Sequence, residues 1–111
     1  MIAKKADKPL AALLGKGATF GGDLTFEGRV RVDGTFKGRI HTDDTLEIGE
    51  SGVVDGEIDA ATLLVAGTAS GKVRARLLIL EPTGVLRGQV DAEALQAHPG
   101  GRVDAVVRIG R

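Results

Sequence analysis

The chain has 111 residues, with 15 basic and 15 acidic side chains. That is the size of one small domain, and the balance excludes an overall electrostatic bias toward nucleic acid or anionic membrane. The lack of cysteine excludes disulfides and thiolate metal sites, and no apolar run approaches the ~18 residues that span a bilayer.

Residues 1–19 show no strand pattern and read as a flexible N-terminal tail. They lack the long apolar segment of a secretory signal. Leu10 to Leu14 is apolar, but Pro9 precedes it and Gly15 follows, leaving it too short for a stable helix. The repeat domain is placed at residues 20–111.

From Phe20 onward a seven-residue frame recurs, Gly–x–apolar–x–Gly–x–apolar. It runs Gly34 to Ile40, Gly52 to Ile58, Gly67 to Val73 and Gly84 to Val90. A degraded copy, Gly101 to Val107, closes the series, and Leu24 to Val30 reads as an early copy without its first glycine. The second glycines, at 38, 56, 71 and 88 with Ala105 last, are spaced by 18, 15, 17 and 17 residues. A short period of this kind marks a solenoid. Triplets lie between the frames: Leu46 to Ile48, Leu63 to Val65, Leu77 to Ile79 and Leu95 to Ala97. In each, the outer residues point one way and the middle residue the other.

Short period-two strands without a helical repeat predict a parallel β-helix whose coils stack at roughly 4.8 Å. Glycine makes up 17 residues, and the only aromatics are Phe20, Phe26 and Phe36. The core must therefore be thin aliphatic layers. Glycine would serve at corners, and Gly38, Gly56, Gly71 and Gly88 would leave room inside a narrow core. Outward columns test the register. In-register stacking sets Lys37 beside Asp55, Arg87 beside Asp104, and Glu57 between Arg39 and Lys72. Only Arg29 and Arg39 would oppose like charges.

These residues resemble the bactofilin family. The resemblance rests on Lys16 to Asp23 followed by Val30 to Ile40, on Leu46 to Gly49 with Val54 to Ile58, and on Leu64 to Gly67 with Gly71 to Val73. It runs from about Leu14 to Val107. It implies a right-handed β-helix of about six short coils with a triangular cross-section. It further implies a bacterial cytoskeletal protein that polymerises end to end without nucleotide into nonpolar filaments. Such proteins lie in the cytoplasm, often on the inner face of the membrane. They scaffold cell-wall enzymes or chromosome-segregation proteins. The partner implied first is a second copy of the chain, and a related bactofilin is the next to consider.

The residues agree at the ends. A soluble solenoid needs polar caps. The first coil instead offers Phe20, Leu24 and Phe26, and the last offers Val103, Val107 and Ile109. These six are the candidate polymerisation interface, with tails folded over the ends as the competing reading. Met1, Ile2, Lys4 and Lys5 fit the outline of the family's membrane tail; a solvated tail is the plain alternative. Leu64 and Leu78 are read as outward, with Leu80 beside them, forming an apolar patch. It would serve a lateral contact or a partner, or lie under Leu10, Leu13 and Leu14.

No enzyme is indicated. Left-handed β-helix acyltransferases need a strict six-residue period and a catalytic histidine. The uneven spacing breaks that period, and His41 and His98 fall near corners. Asp43 and Asp44 read as a solvated turn. Neither Gly21-Gly22 nor Gly100-Gly101 is followed by the Lys-Ser/Thr of a phosphate loop. No catalytic, cofactor or metal site is expected, and no small-molecule substrate. Basic residues without interleaved aromatics give no nucleic-acid surface. The expected function is a self-assembling scaffold. The alternative is a β-solenoid interaction module that does not polymerise.

Overall fold

Alternating apolar and polar residues make strands that bury one side, and here every strand does so against one axial core. The computed structural model describes residues 10–110 as nine strands. They are β1 (Leu10–Leu14), β2 (Thr19–Phe26), β3 (Arg29–Val32), β4 (Thr35–Thr42) and β5 (Thr45–Ile48). β6 (Val53–Val65), β7 (Thr68–Leu80), β8 (Val85–Ala97) and β9 (Arg102–Ile109) follow. All pairings are parallel. The result is a parallel β-solenoid of six coils.

Each coil crosses three faces. The first face stacks residues 10–14, 29–32, 45–48, 62–65, 77–80 and 94–97. The second stacks 19–21, 35–37, 53–55, 68–70, 85–87 and 102–104. The third stacks 23–26, 39–42, 57–60, 72–75, 89–92 and 106–109. From coil two onward the face segments keep their length, whereas β1 carries one extra residue at an irregularity between Leu10 and Ala12. Uneven spacing arises at two corners. The corner from third to first face holds two residues (Glu27-Gly28, Asp43-Asp44) or one (Ala61, Arg76, Glu93). The corner from first to second face holds two residues, as at Asp33-Gly34 and Ala66-Gly67, or a four-residue turn. Gly49 to Gly52 is such a turn, closed by Gly52 N–H donating to the Gly49 carbonyl at 2.8 Å.

Each internal coil sends five side chains inward. Coil two contributes Val30, Val32, Phe36, Ile40 and Thr42; coil three contributes Leu46, Ile48, Val54, Ile58 and Ala60. Coils four and five continue with Leu63, Val65, Ala69, Val73 and Ala75, then Leu78, Leu80, Leu86, Val90 and Ala92. None of these is more than 5% exposed. Thr42 is the polar exception. Its hydroxyl donates to the Gly28 carbonyl and accepts from the Asp44 amide, so its burial costs little. No buried side-chain polar atom among the described residues lacks a partner.

The third corner is the glycine ladder: Gly22, Gly38, Gly56, Gly71 and Gly88, then Ala105. Gly56 has φ +135°, and a Cβ there would overlap the carbonyl oxygen of Gly38 one coil below. Only glycine permits both the backbone angle and the close approach. The expectation that these glycines make room inside the core is corrected: they turn the chain at the edge, and Gly38 and Gly88 are exposed.

Three further expectations change. The solenoid already includes Leu10 to Leu14 rather than starting near Thr19, because Ala12 to Leu14 pairs with Val30 to Val32. An extended segment can add to an existing edge even where it is too short to stand alone as a helix. The first full frame is Ala18 to Leu24, since Phe20 sits on Phe36 and Gly22 on Gly38. Arg29 and Arg39 are thus on different faces, and the expected like-charge contact does not occur. Finally, the third triplet is Leu78 to Leu80, paired with Leu63 to Val65. Leu78 and Leu80 are core residues at 0% and 1% exposure. A one-residue slip in register exchanges the two sides of a strand.

Candidate polymerisation interface

The ends of the solenoid differ from its middle in one respect: among the described residues, their inward side chains have a neighbouring coil on one side only. At the N-terminal end this layer is Ala12, Leu14, Phe20, Leu24 and Phe26. Phe20 lies over Phe36, Leu24 over Ile40, and Phe26 over Thr42. Phe36 and Ile40 are fully buried, whereas Phe20, Leu24 and Phe26 are only partly so. At the C-terminal end the layer is Leu95, Ala97, Val103, Val107 and Ile109. Val103 sits over Leu86, Val107 over Val90, and Ile109 over Ala92. Leu86 and Ala92 are 0% and 4% exposed, but Val103 and Ile109 are 45% and 53% exposed. All six residues named from the sequence therefore lie in the two end layers, three at each end. Ala12, Leu14, Leu95 and Ala97 join them. The first two were missed because their strand was read as tail.

The backbone at each end is open as well. Among the described residues β1 pairs only with β3, β2 only with β4, and β9 only with β8. Their outer N–H and C=O groups face away from the stack. A flat apolar layer bordered by an open parallel edge is a template for another coil.

The lateral surfaces are mostly polar, with Leu13, Val53 and Val106 as exposed apolar residues on separate faces or coils and one patch of adjacent apolar residues. On the first face, Leu64 and Ile79 are the outward residues of adjacent coils, and Leu77 is nearby. All three are half-buried. The apolar patch expected at Leu64 and Leu78 is therefore built from Leu64 and Ile79. Leu10, Leu13 and Leu14 do not fold over it, since they form the first coil on the same face. Below the patch lies a charged cluster. Arg31 reaches Asp33 at 3.0 Å and Glu47 at 3.5 Å, and Arg29 reaches Glu47 at 3.4 Å. The hydrogen bond and charge of Asp33 raise the Arg31 pKa above its ordinary value, with Glu47 adding to the effect. These pairs are half-exposed at the surface, so the two that link coils two and three through Glu47 add little to their stacking.

Chemistry is sparse. His41 Nδ1 lies 3.4 Å from Asp59 on the surface, and His98 is exposed at a corner. Among the described residues no group of three His, Cys, Asp or Glu is placed to hold a metal ion, and no helix is long and apolar enough to cross a membrane. Met1, Ile2, Lys4 and Lys5 lie outside the described residues.

Residues 12–108 match the model of the Bactofilin family, polymer-forming cytoskeletal proteins. The chain belongs to the bactofilin family. Two solved structures are similar to it. One is a cryo-EM reconstruction of double helical filaments of Thermus thermophilus bactofilin. It has 27% identity and a TM-score of 0.74, covering 87% of this chain and 99% of that one. The other is a crystal structure of a point mutant of the same Thermus thermophilus protein. It has 30% identity and a TM-score of 0.73, covering 78% of this chain and 98% of that one. No curated protein matches the chain. Bactofilins are a structural, polymer-forming family, and self-association is the activity this fold serves.

Proposed function

We propose that this protein assembles end to end, without nucleotide, into nonpolar filaments that act as a scaffold at the inner face of the cytoplasmic membrane. The observation that carries the reading is the pair of apolar end layers, each with a neighbouring coil on one side only among the described residues. Val103 and Ile109 keep about half their surface in water while the residues directly beneath them keep almost none. Stacking a second molecule there removes apolar surface from water at both ends of every subunit. The filaments of the similar Thermus protein support the same direction.

The membrane part rests on the tail. Lys4, Lys5 and Lys8 contribute about 1 kcal/mol each near an anionic surface, and Ile2 adds a small apolar insertion. One tail binds weakly, and a filament carrying many binds well through avidity. Organisation of cell-wall or chromosome-segregation machinery rests on the family resemblance alone.

Negative-stain microscopy of the purified full chain, with no nucleotide added, tests the core of this reading. Filaments a few nanometres wide are expected. Monodisperse particles at high concentration overturn it and leave a non-polymerising interaction module.

A further inference from the structure

The third face carries a pattern that end-to-end stacking does not use. Its two outward columns read, coil by coil, Asp23 and Thr25, then Arg39 and His41, then Glu57 and Asp59. They continue with Lys72 and Arg74, then Gln89 and Asp91, then Val106 and Arg108. Leaving His41 aside, the coils carry alternating negative and positive charge from first to last. The doubly charged coils are the two in the middle.

Internal pairing accounts for only part of this. Arg39 meets Glu57 at 3.0 Å and His41 meets Asp59 at 3.4 Å. Lys72, Arg74, Asp91 and Arg108 make no ion pair within 4 Å among the described residues, and all four are exposed. Alternation over six bands also has a definite symmetry. Consider a twofold axis in the plane of the face, perpendicular to the solenoid axis and passing between coils three and four. It sets coil one on coil six, two on five and three on four. Every negative band then faces a positive one. Glu57 comes opposite the partner subunit's Lys72, and Asp59 opposite the partner subunit's Arg74. A parallel, in-register pair would set each band on itself and repel.

The geometry points to the third face as a lateral contact with a second copy of the chain, antiparallel and centred between coils three and four. This rests on the end-to-end reading for its strength. Six strand spacings by four residues' rise give roughly 400 Å² per subunit, about half the ~800 Å² per partner of a stable pair. One pair is weak. A filament aligns many such faces, and their contacts act together.

The test uses two full-length variants, Glu57→Lys with Asp59→Arg, and Lys72→Glu with Arg74→Asp. The first makes coils three and four both positive, the second both negative. Each is expected to form single filaments by negative-stain microscopy, because opposed like charges suppress pairing across a contact. The paired fraction should fall by about tenfold or more in each, since close pairs across interfaces couple strongly. Mixing preformed filaments of the two should restore pairs. Repulsion confined within one chain predicts no such rescue. The unmodified chain supplies a second measurement that does not depend on the variants folding. Its paired filaments should separate into single ones as salt rises from about 0.1 M to about 1 M, where the Debye length shrinks from roughly 10 to 3 Å.

Pairing that survives either reversal, or no rescue on mixing, overturns the lateral contact. Single filaments of the unmodified chain at low salt overturn it while leaving axial assembly standing. Absence of any filament removes both.

Discussion

Replacing Val103 with arginine should stop axial growth without unfolding the solenoid. Val103 sits in the last layer over Leu86 and is 45% exposed. Fully burying a valine contributes about 1.5–3 kcal/mol, so the part still in water represents roughly 1 kcal/mol of unrealised contact. Val103→Arg forfeits that. It also forces a guanidinium out of water at the contact, which costs several kcal/mol when no partner meets it. A combined loss of about 3 kcal/mol or more weakens association by over a hundredfold. If two C-terminal layers meet about a twofold axis, each contact contains the substitution twice. The assay is the critical concentration for assembly, read by pelleting and light scattering. Circular dichroism and thermal melting of the soluble fraction check the fold. Val53→Arg is the control, since Val53 is 37% exposed but points outward from the middle of the stack; its assembly should match the unmodified chain. If folded Val103→Arg assembles within about threefold of the unmodified critical concentration, a difference under 1 kcal/mol, the end layer is not the contact.

Three more tests address the fold and the tail, the first two best run in the non-assembling Val103→Arg chain. Gly56→Ala should cost more stability in urea melts than Gly22→Ala. Both angles are strained for alanine, by about 1–3 kcal/mol, but only at Gly56 does the Cβ overlap a carbonyl; at Gly22 nothing lies within 4 Å. Equal losses would show that backbone angle alone sets the corner. Leu78→Ala should cost about 2–5 kcal/mol as a buried truncation, whereas outward Leu64→Ala should cost under about 1 kcal/mol. The reverse order would place the first-face register one residue off. Deleting residues 1–8 should abolish co-sedimentation of filaments with anionic vesicles at low salt, and equal pelleting of both chains would remove the membrane reading.

The frame was legible because glycine has a physical reason to recur at one corner. The spacing of Gly38, Gly56, Gly71 and Gly88 fixed the axial register, and the pairs Lys37 with Asp55, Arg39 with Glu57 and Arg87 with Asp104 follow from it. What failed lay where that marker was missing or ambiguous. Ala18 stands where later coils have glycine, so the first frame was placed too late. Leu77 to Leu80 is four apolar residues in a row, with no polar residue to mark the outward side. Its corner is also one residue shorter than the one before Leu46, which shifted the triplet. Leu10 to Leu14 carries no turn signal that distinguishes strand from tail. Its place is set by β3, a neighbour distant in sequence. The end layers were readable for a different reason: apolar residues sat where a self-contained solenoid needs polar ones.

The alternation on the third face ties surface chemistry to coil count. Solenoids gain and lose length by whole repeats, and one coil added at an end, its charge continuing the alternation, would leave the core and the glycine corner intact. It would also turn six bands into seven. Under the antiparallel twofold the middle band would then face its own copy, and every other band would face one of its own sign. Two coils added together would restore the match. For a protein of this construction, lateral pairing is therefore sensitive to whether the number of coils is even or odd, a property that stability measurements on the isolated subunit do not register.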